Sequence, residues 1–254
     1  MNGQLRRTTA PALSELEWKA RCELAACYRI FNALGWTELI FNHITLELPG
    51  PERHFLINPY GLTYDEVTAS NLVKIDLDGR AVDCSECDVN PAGFLIHSVI
   101  HRARPDARCI AHTHTTAGCA VAALSLGLEC TNFYAAQLHN EVAYHDFEGI
   151  TVDQGEGPRL LASLGGKSAM ILRNHGLLAC GPSVPEAFYL LWRLERACQI
   201  QVATYSYGSP VVEIPDAVAE RATQQLKSFD PRGDGARRIF EALRRKIDPR
   251  LYEI

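Results

Sequence analysis

Long apolar runs are missing from this sequence. None approaches the ~20 residues that a helix needs to cross a hydrocarbon layer, so no membrane span is expected. A basic surplus is missing too: 25 Lys and Arg stand against 30 Asp and Glu, a net charge of −5. Without a basic stripe or a long Lys/Arg block, the chain lacks the electrostatic footprint of a nucleic-acid or anionic-membrane binder. Its densest basic cluster, Arg244-Arg245-Lys246, falls in a helical pattern and reads as a solvated face. The opening stretch MNGQLRRTTAPALSELEWKA is polar and carries no apolar core of the secretory type, which predicts a cytoplasmic protein.

Regular cysteine spacing is also absent. Nine cysteines form an odd set, most of them inside apolar segments (Cys22, Cys27, Cys109, Cys119, Cys130, Cys180, Cys198), which suits buried reduced thiols better than a disulfide framework. The one CxxC, Cys84 to Cys87, has neither a second CxxC for zinc nor a following helical pattern for redox work, and it reads as part of a polar loop. Repeats, low-complexity segments and linkers are not visible. The expectation is a flexible arm over 1–12 and one domain over 13–254 that includes a C-terminal helix and tail.

Helical and strand patterns alternate along the chain. Ser14, with Glu17 three residues on, has the form of a capping box, and Leu16, Ala20, Leu24, Cys27, Ile30, Phe31 and Leu34 follow at helical spacing up to Gly35. Strands are predicted over Ile40 to Leu48, His54 to Ile57, Leu72 to Leu77, Cys109 to His114, Ser168 to Leu172, and from Gly176 to Cys180. Asp78-Gly79 reads as a hairpin turn. Further helices are predicted over about Ala92 to Ala103, Ala117 to Leu126, Pro185 to Tyr205 and beyond Pro231. Interleaved helices, short strands and hairpins predict an antiparallel or mixed sheet covered by helices.

Chemistry concentrates in the nine histidines. In RCIAHTHTTAG, His112 and His114 sit two apart on a strand, so both project from one face while Thr113 projects from the other. Two imidazoles so placed can close on one ion, although the same spacing also serves ordinary packing. Tight fixation needs a third ligand, and His175, between a buried strand and Gly176 in LRNHGLLACG, is the best candidate. His97 and His101 lie four apart without the glutamate of an HExxH pair and read as a packed helix face. His43, His54, His139 and His145 read as hydrogen-bonded core or loop residues.

Five segments, taken in order, resemble the class II aldolase/adducin family, and its adducin-like branch most closely. They are GWTELIFNHIT (35–45), FLINPYGLTYDEVTASNLVKIDLDG (55–79), NPAGFLIHSVIHRARPDARCIAHTHT (90–115), NEVAYHDFEG (140–149) and ILRNHGLLACG (171–181). The resemblance spans about residues 15 to 205. It implies an α/β fold: a three-layer α/β/α arrangement around a central, mostly antiparallel sheet. It further implies a divalent metal held by His112, His114 and His175, with zinc first and manganese or iron as alternatives. Homotetrameric rings with sites at the subunit contacts belong to the same expectation.

The sequence departs from the sugar-phosphate aldolases of that family where phosphate is bound. Their Ser-Ser-Glu segment, counted back from Arg104-Pro105, falls here on Pro91-Ala92-Gly93, which removes both hydroxyls and the glutamate base. Their Thr-Pro-Thr-Gly is here Asn58-Pro59-Tyr60-Gly61. By the same resemblance Tyr134 is a candidate proton donor and Glu141 a candidate acid–base or structural residue. Arg173 could orient a carboxylate or make a structural ion pair, and Tyr252 could reach a neighbouring subunit. Three functions follow. The first is a metal-dependent lyase acting on a non-phosphorylated hydroxy- or oxo-acid, by aldol cleavage or decarboxylation through a metal-stabilised enolate. The others are a non-haem Fe(II) oxygenase using the same histidines, and a non-catalytic adducin-like assembly module. The expected partner is a small-molecule substrate, with neither nucleic acid nor membrane.

Overall fold

The computed structural model describes residues 13–83, 88–150, 154–230 and 233–254. The arm over 1–12 and the Cys84/Cys87 pair lie outside them. Eight α-helices and seven strands are assigned among the described residues: α1 (Glu15–Ala33), β1 (Ile44–Glu47), β2 (Phe55–Ile57), β3 (Val73–Ile75), α2 (Pro91–Ala103), β4 (Cys109–Thr113), α3 (Thr116–Ala122), α4 (Phe133–Ala136), β5 (Val142–His145), α5 (Gly157–Leu164), β6 (Ala169–Leu172), β7 (Gly176–Gly181), α6 (Val184–Ser206), α7 (Asp216–Phe229) and α8 (Gly235–Arg244). The strands form one sheet in the order β3-β2-β1-β4-β7-β6-β5. Every pairing is antiparallel except β5 with β6.

Strand alternation sorts the side chains into two layers. Ile44, Cys109, Ala111, Leu177 and Ala179 face the larger core, which is closed by α1, α3, α6 and α8. Ile110, Leu178 and Cys180 face the opposite side, where α2 and α5 contribute Ile96, Ile100, Leu160 and Leu164. The sheet is therefore covered on both faces, as the three-layer expectation requires. Helix α6 carries the centre of the larger core: Phe188, Leu191 and Leu194 are completely buried, and truncating such a leucine costs about 2–5 kcal/mol.

At α1, Ser14 Oγ accepts from the Glu17 amide at 3.1 Å, as a cap should. The reciprocal half of the box is replaced, because the Glu17 carboxylate takes Arg21 and Lys74 instead. Those cations hold it below the ordinary carboxylate range against the effect of burial.

Several boundaries differ from the sequence reading. The first strand starts at Ile44, not Ile40, because the chain turns over Glu38 to Phe41 with Leu39 in the left-handed region (φ 51°). The third strand is limited to Val73–Ile75: the Asp76 carboxylate accepts from the amides of Asp78 and Arg80 and winds the chain into the expected Asp78-Gly79 turn. Helix α3 stops at Ala122, short of Leu126. Elements α4, β5, α5 and α7 were not anticipated. The described cysteines are all free thiols, and among the described residues no helix is long and apolar enough to cross a membrane.

Candidate metal centre

Two hairpin-joined strands and one crossover bring the three histidines together. His112 pairs with Leu178 across β4 and β7, one residue before the strand ends. It projects with Ile110 toward α2, and His114 stands just past the end of β4. His175 is the last residue of the three-residue link between β6 and β7, closed by the Leu172–Gly176 pair. Asn174 makes that link possible by adopting φ 56°, a conformation Asn tolerates better than most side chains. The link is tied down at each residue: Arg173 N donates to His145 O at 2.8 Å, Asn174 N to Ala122 O at 3.1 Å and His175 N to Leu172 O at 3.1 Å. Cys119 Sγ donates to the His175 carbonyl at 3.0 Å.

The three rings converge through their Nε2 atoms. His112 Nε2 lies 2.7 Å from His114 Nε2 and 3.2 Å from His175 Nε2, and the three potential ligand atoms all fall within 4.8 Å of one another. His112 Nδ1 donates to the Leu177 carbonyl at 2.8 Å. A carbonyl can only accept, so the His112 proton sits on Nδ1 and the Nε2 lone pair points into the cluster.

Burial favours the neutral, ligating form of each ring. It drives His112 well below the ordinary imidazole value, with His175 and His114 adding to the effect. Burial first, then His114 and His43, lower His175 to about 4. Burial also lowers His114, against the opposing influence of Glu38. Three close imidazole nitrogens, neutral at pH 7, suit a shared divalent cation, and imidazole accepts zinc, iron and other transition metals.

Gly176 supplies a second test of fit. A Cβ there would lie 2.3 Å from the Thr113 carbonyl oxygen, 3.1 Å from the His114 ring and 3.3 Å from the His112 ring. Any side chain would therefore intrude on the space in which the imidazoles meet. Among the described residues no carboxylate joins the group. Position 93, in the first turn of α2, is glycine and has none to offer.

A buried carboxylate stands one layer back. Thr115, next to His114, donates its hydroxyl to Glu195 of α6 instead of capping α3, and Gln199 Nε2 donates to the other Glu195 oxygen at 2.9 Å. Burial pushes Glu195 above the usual carboxylate range. Sequence reading passed over Glu195 because the contact spans eighty residues and α6 resembles any packed helix. It also passed over Glu38, whose charge reaches His114 from an exposed turn.

The other candidates fall elsewhere within the chain. Tyr134 packs edge-on against Trp192 with ring centroids 5.3 Å apart. It lines a cavity of about 670 Å³ with Phe133, Tyr189, Leu226 and Phe229, and none of the three histidines borders that cavity. Glu141 pairs with Lys227 at 2.6 Å on the surface. Among the described residues Arg173 makes no carboxylate pair: its guanidinium lies 4.3 Å over the Tyr144 ring and donates to Leu124 O at 2.7 Å. The expectation for Tyr252 requires correction. Its ring is buried in its own chain, its hydroxyl accepts from Arg244 Nε at 3.0 Å, and its carbonyl accepts from Ala69 N at 2.7 Å, so it is not free to reach a neighbour. His97 and His101 are packed, as expected, and both also bond Thr45. His145 joins Ser163 at 3.0 Å and Glu156 at 3.3 Å.

The model of the family described as Class II Aldolase and Adducin N-terminal domain matches residues 22–202. Among solved structures, an aldolase II superfamily protein from Pseudomonas syringae is 45% identical with a TM-score of 0.87, covering 92% of this chain and 94% of its own. The L-fuculose 1-phosphate aldolase of Glaciozyma antarctica is 29% identical with a TM-score of 0.77, covering 93% and 94%. Rat alpha-adducin is 44% identical over 96% of this chain, which spans only 35% of the adducin. A match over most of the chain, the layered fold and the order of the histidine segments agree: this protein belongs to the class II aldolase and adducin family.

Proposed function

We propose that this chain is a metal-dependent lyase that breaks a carbon–carbon bond in a non-phosphorylated hydroxy- or oxo-acid, by aldol cleavage or decarboxylation. The observation that carries the reading is the convergence of three Nε2 atoms, one of them oriented by the Leu177 carbonyl, on a space that only glycine at 176 leaves open. His112, His114 and His175 would hold the ion. When bound, a divalent metal with open positions supplies a Lewis acid that draws off the charge developing on a substrate oxygen.

The protein's own residues supply the rest. Gly176 and the His112 tautomer keep the ligand set assembled, and the buried Thr115–Glu195 pair braces the segment that follows His114. A non-phosphorylated substrate follows from Pro91-Ala92-Gly93 and from Tyr60, which replace the hydroxyl-rich phosphate segments of the sugar-phosphate aldolases. Tyr134 and Glu141 are the proposed proton-transferring groups. Since neither borders the histidine cluster of its own chain, they would act across a subunit contact, within a homotetramer of single-domain chains.

The adducin relationship favours one alternative, a non-catalytic assembly module that keeps the histidines as a structural staple. A substrate screen separates the two. Metal-loaded protein incubated with hydroxy- and oxo-acids should release an aldehyde or CO₂ without consuming O₂. Turnover that requires O₂ would replace the lyase with an Fe(II) oxygenase, and no turnover across the panel would favour the assembly module.

A further inference from the structure

Four imidazoles stand in a row beneath α2, and only the last of them belongs to the proposed metal ligands. His97 and His101 project from successive turns of α2, and both are completely buried. The Thr45 hydroxyl bridges them, 2.7 Å from His97 Nδ1 and 2.8 Å from His101 Nε2. A hydroxyl has one proton, so it donates to one ring and accepts from the other, which fixes a tautomer at each end. Beyond Thr45 the row continues to His43, whose ring centroid is 4.2 Å from that of His97. Ile44 pairs with Ala111 across β1 and β4, so His43 stands next to His112 in the same register, and their ring centroids lie 6.1 Å apart.

Packing alone does not call for this row. The surrounding layer is apolar, with Ile96, Ile100, Ile110 and Leu178 beside it and Phe55 against His101. A leucine or phenylalanine at 97 would seal the layer without burying ring nitrogens, whereas His97 Nε2 has no hydrogen-bond partner among the described residues. Buried polar groups left so are costly and call for a reason beyond stability.

We infer that His97 is a positioning residue for the metal centre: the Thr45 hydroxyl anchors its ring, that ring packs against His43, and His43 in turn packs beside His112. The inference rests on the metal-centre reading above. His112 is then held by a hydrogen bond at Nδ1 and by the tilted His43 ring beside it, its centroid 6.1 Å away, which together restrain its Nε2 within the cluster.

Cobalt(II) tests this without reference to any substrate, through its binding constant and its visible absorption in the full chain. Wild-type protein should bind cobalt with the spectrum of a nitrogen-rich site. Thr45→Val and His97→Phe should weaken binding about tenfold or more, as loss of an outer support does at metal sites, and should alter the spectrum. Both metal-free variants should keep the wild-type circular dichroism, Thr45→Val with a lowered melting temperature because it leaves two buried ring nitrogens unpaired, and Thr45→Ser should restore wild-type binding. Should His97→Phe not fold, the near-isosteric Thr45→Val carries the test alone. Wild-type binding that Thr45→Val and His97→Phe leave unchanged would overturn this inference only. Wild-type protein that takes up no cobalt would overturn the metal-centre reading and this inference together.

Discussion

His112 donates its Nδ1 proton to the carbonyl of Leu177, 2.8 Å away on the neighbouring strand. That bond orients a strand histidine so that its Nε2 lone pair points toward His114 and His175. It ties the ring to β7, the strand that begins immediately after His175, so two of the three imidazoles are positioned by one hairpin and its partner strand.

Gly176→Ala should show how tightly that hairpin is built. The new Cβ would meet the Thr113 carbonyl at 2.3 Å, so β4 and β7 would have to part locally. A loss of roughly 1–3 kcal/mol is expected from overpacking, accompanied by loss of metal binding. Denaturant unfolding and metal titration check the two halves. A variant that binds metal normally would mean the site has slack that the structure does not show.

Acid should unfold the metal-free protein through its buried histidines. Burial lowers His101 to about 3 and His175 to about 4 in the folded chain, whereas the unfolded values lie near 6.5. As the pH falls below about 6.5 the unfolded chain takes up protons first. Stability is therefore full above that value, declines through pH 5 and 4, and levels off only near the folded values. One such histidine contributes about 1.4 kcal/mol per pH unit inside its window. His101→Leu should make the decline shallower by about that slope. Urea melts in chelator at pH 7 and pH 5 read it directly, and an unchanged slope would refute the assignment.

Much of this was legible in the sequence, and what escaped did so for physical reasons. His112 and His114 declare themselves by the two-residue period of a strand, and His175 by the glycine after it. Long periodic helices such as α1 and α6 were equally plain. Helix α4 is a single turn, held by the Asn132 side chain accepting from the Tyr134 and Ala135 amides, and four residues carry no period. In α7 the polar face dominates: only Ala219 and Thr223 are buried, so the apolar stripe is too thin to stand out. The strand start was misplaced because Leu39 is an apolar residue doing the work of a turn. The Thr45 bridge and the Thr115–Glu195 pair join residues far apart in sequence, where only tertiary structure reveals a partner.

Phosphate should bring no advantage in binding. Ketose phosphates and their unphosphorylated forms should bind with the same affinity by calorimetry, because Pro91-Ala92-Gly93 carries no side-chain hydroxyl and the bulky Tyr60 stands where a small hydroxyl residue is expected. Tighter binding of the phosphate esters would return the chain to ordinary sugar-phosphate chemistry.

Elemental analysis of protein purified without chelator tests the central claim most directly, alongside His114→Ala prepared in the same way. The account predicts about one divalent transition-metal ion per chain, as a single three-histidine site requires, and its loss from a variant whose circular dichroism is unchanged. Wild-type protein free of metal, or a variant that keeps the full metal content, would contradict it.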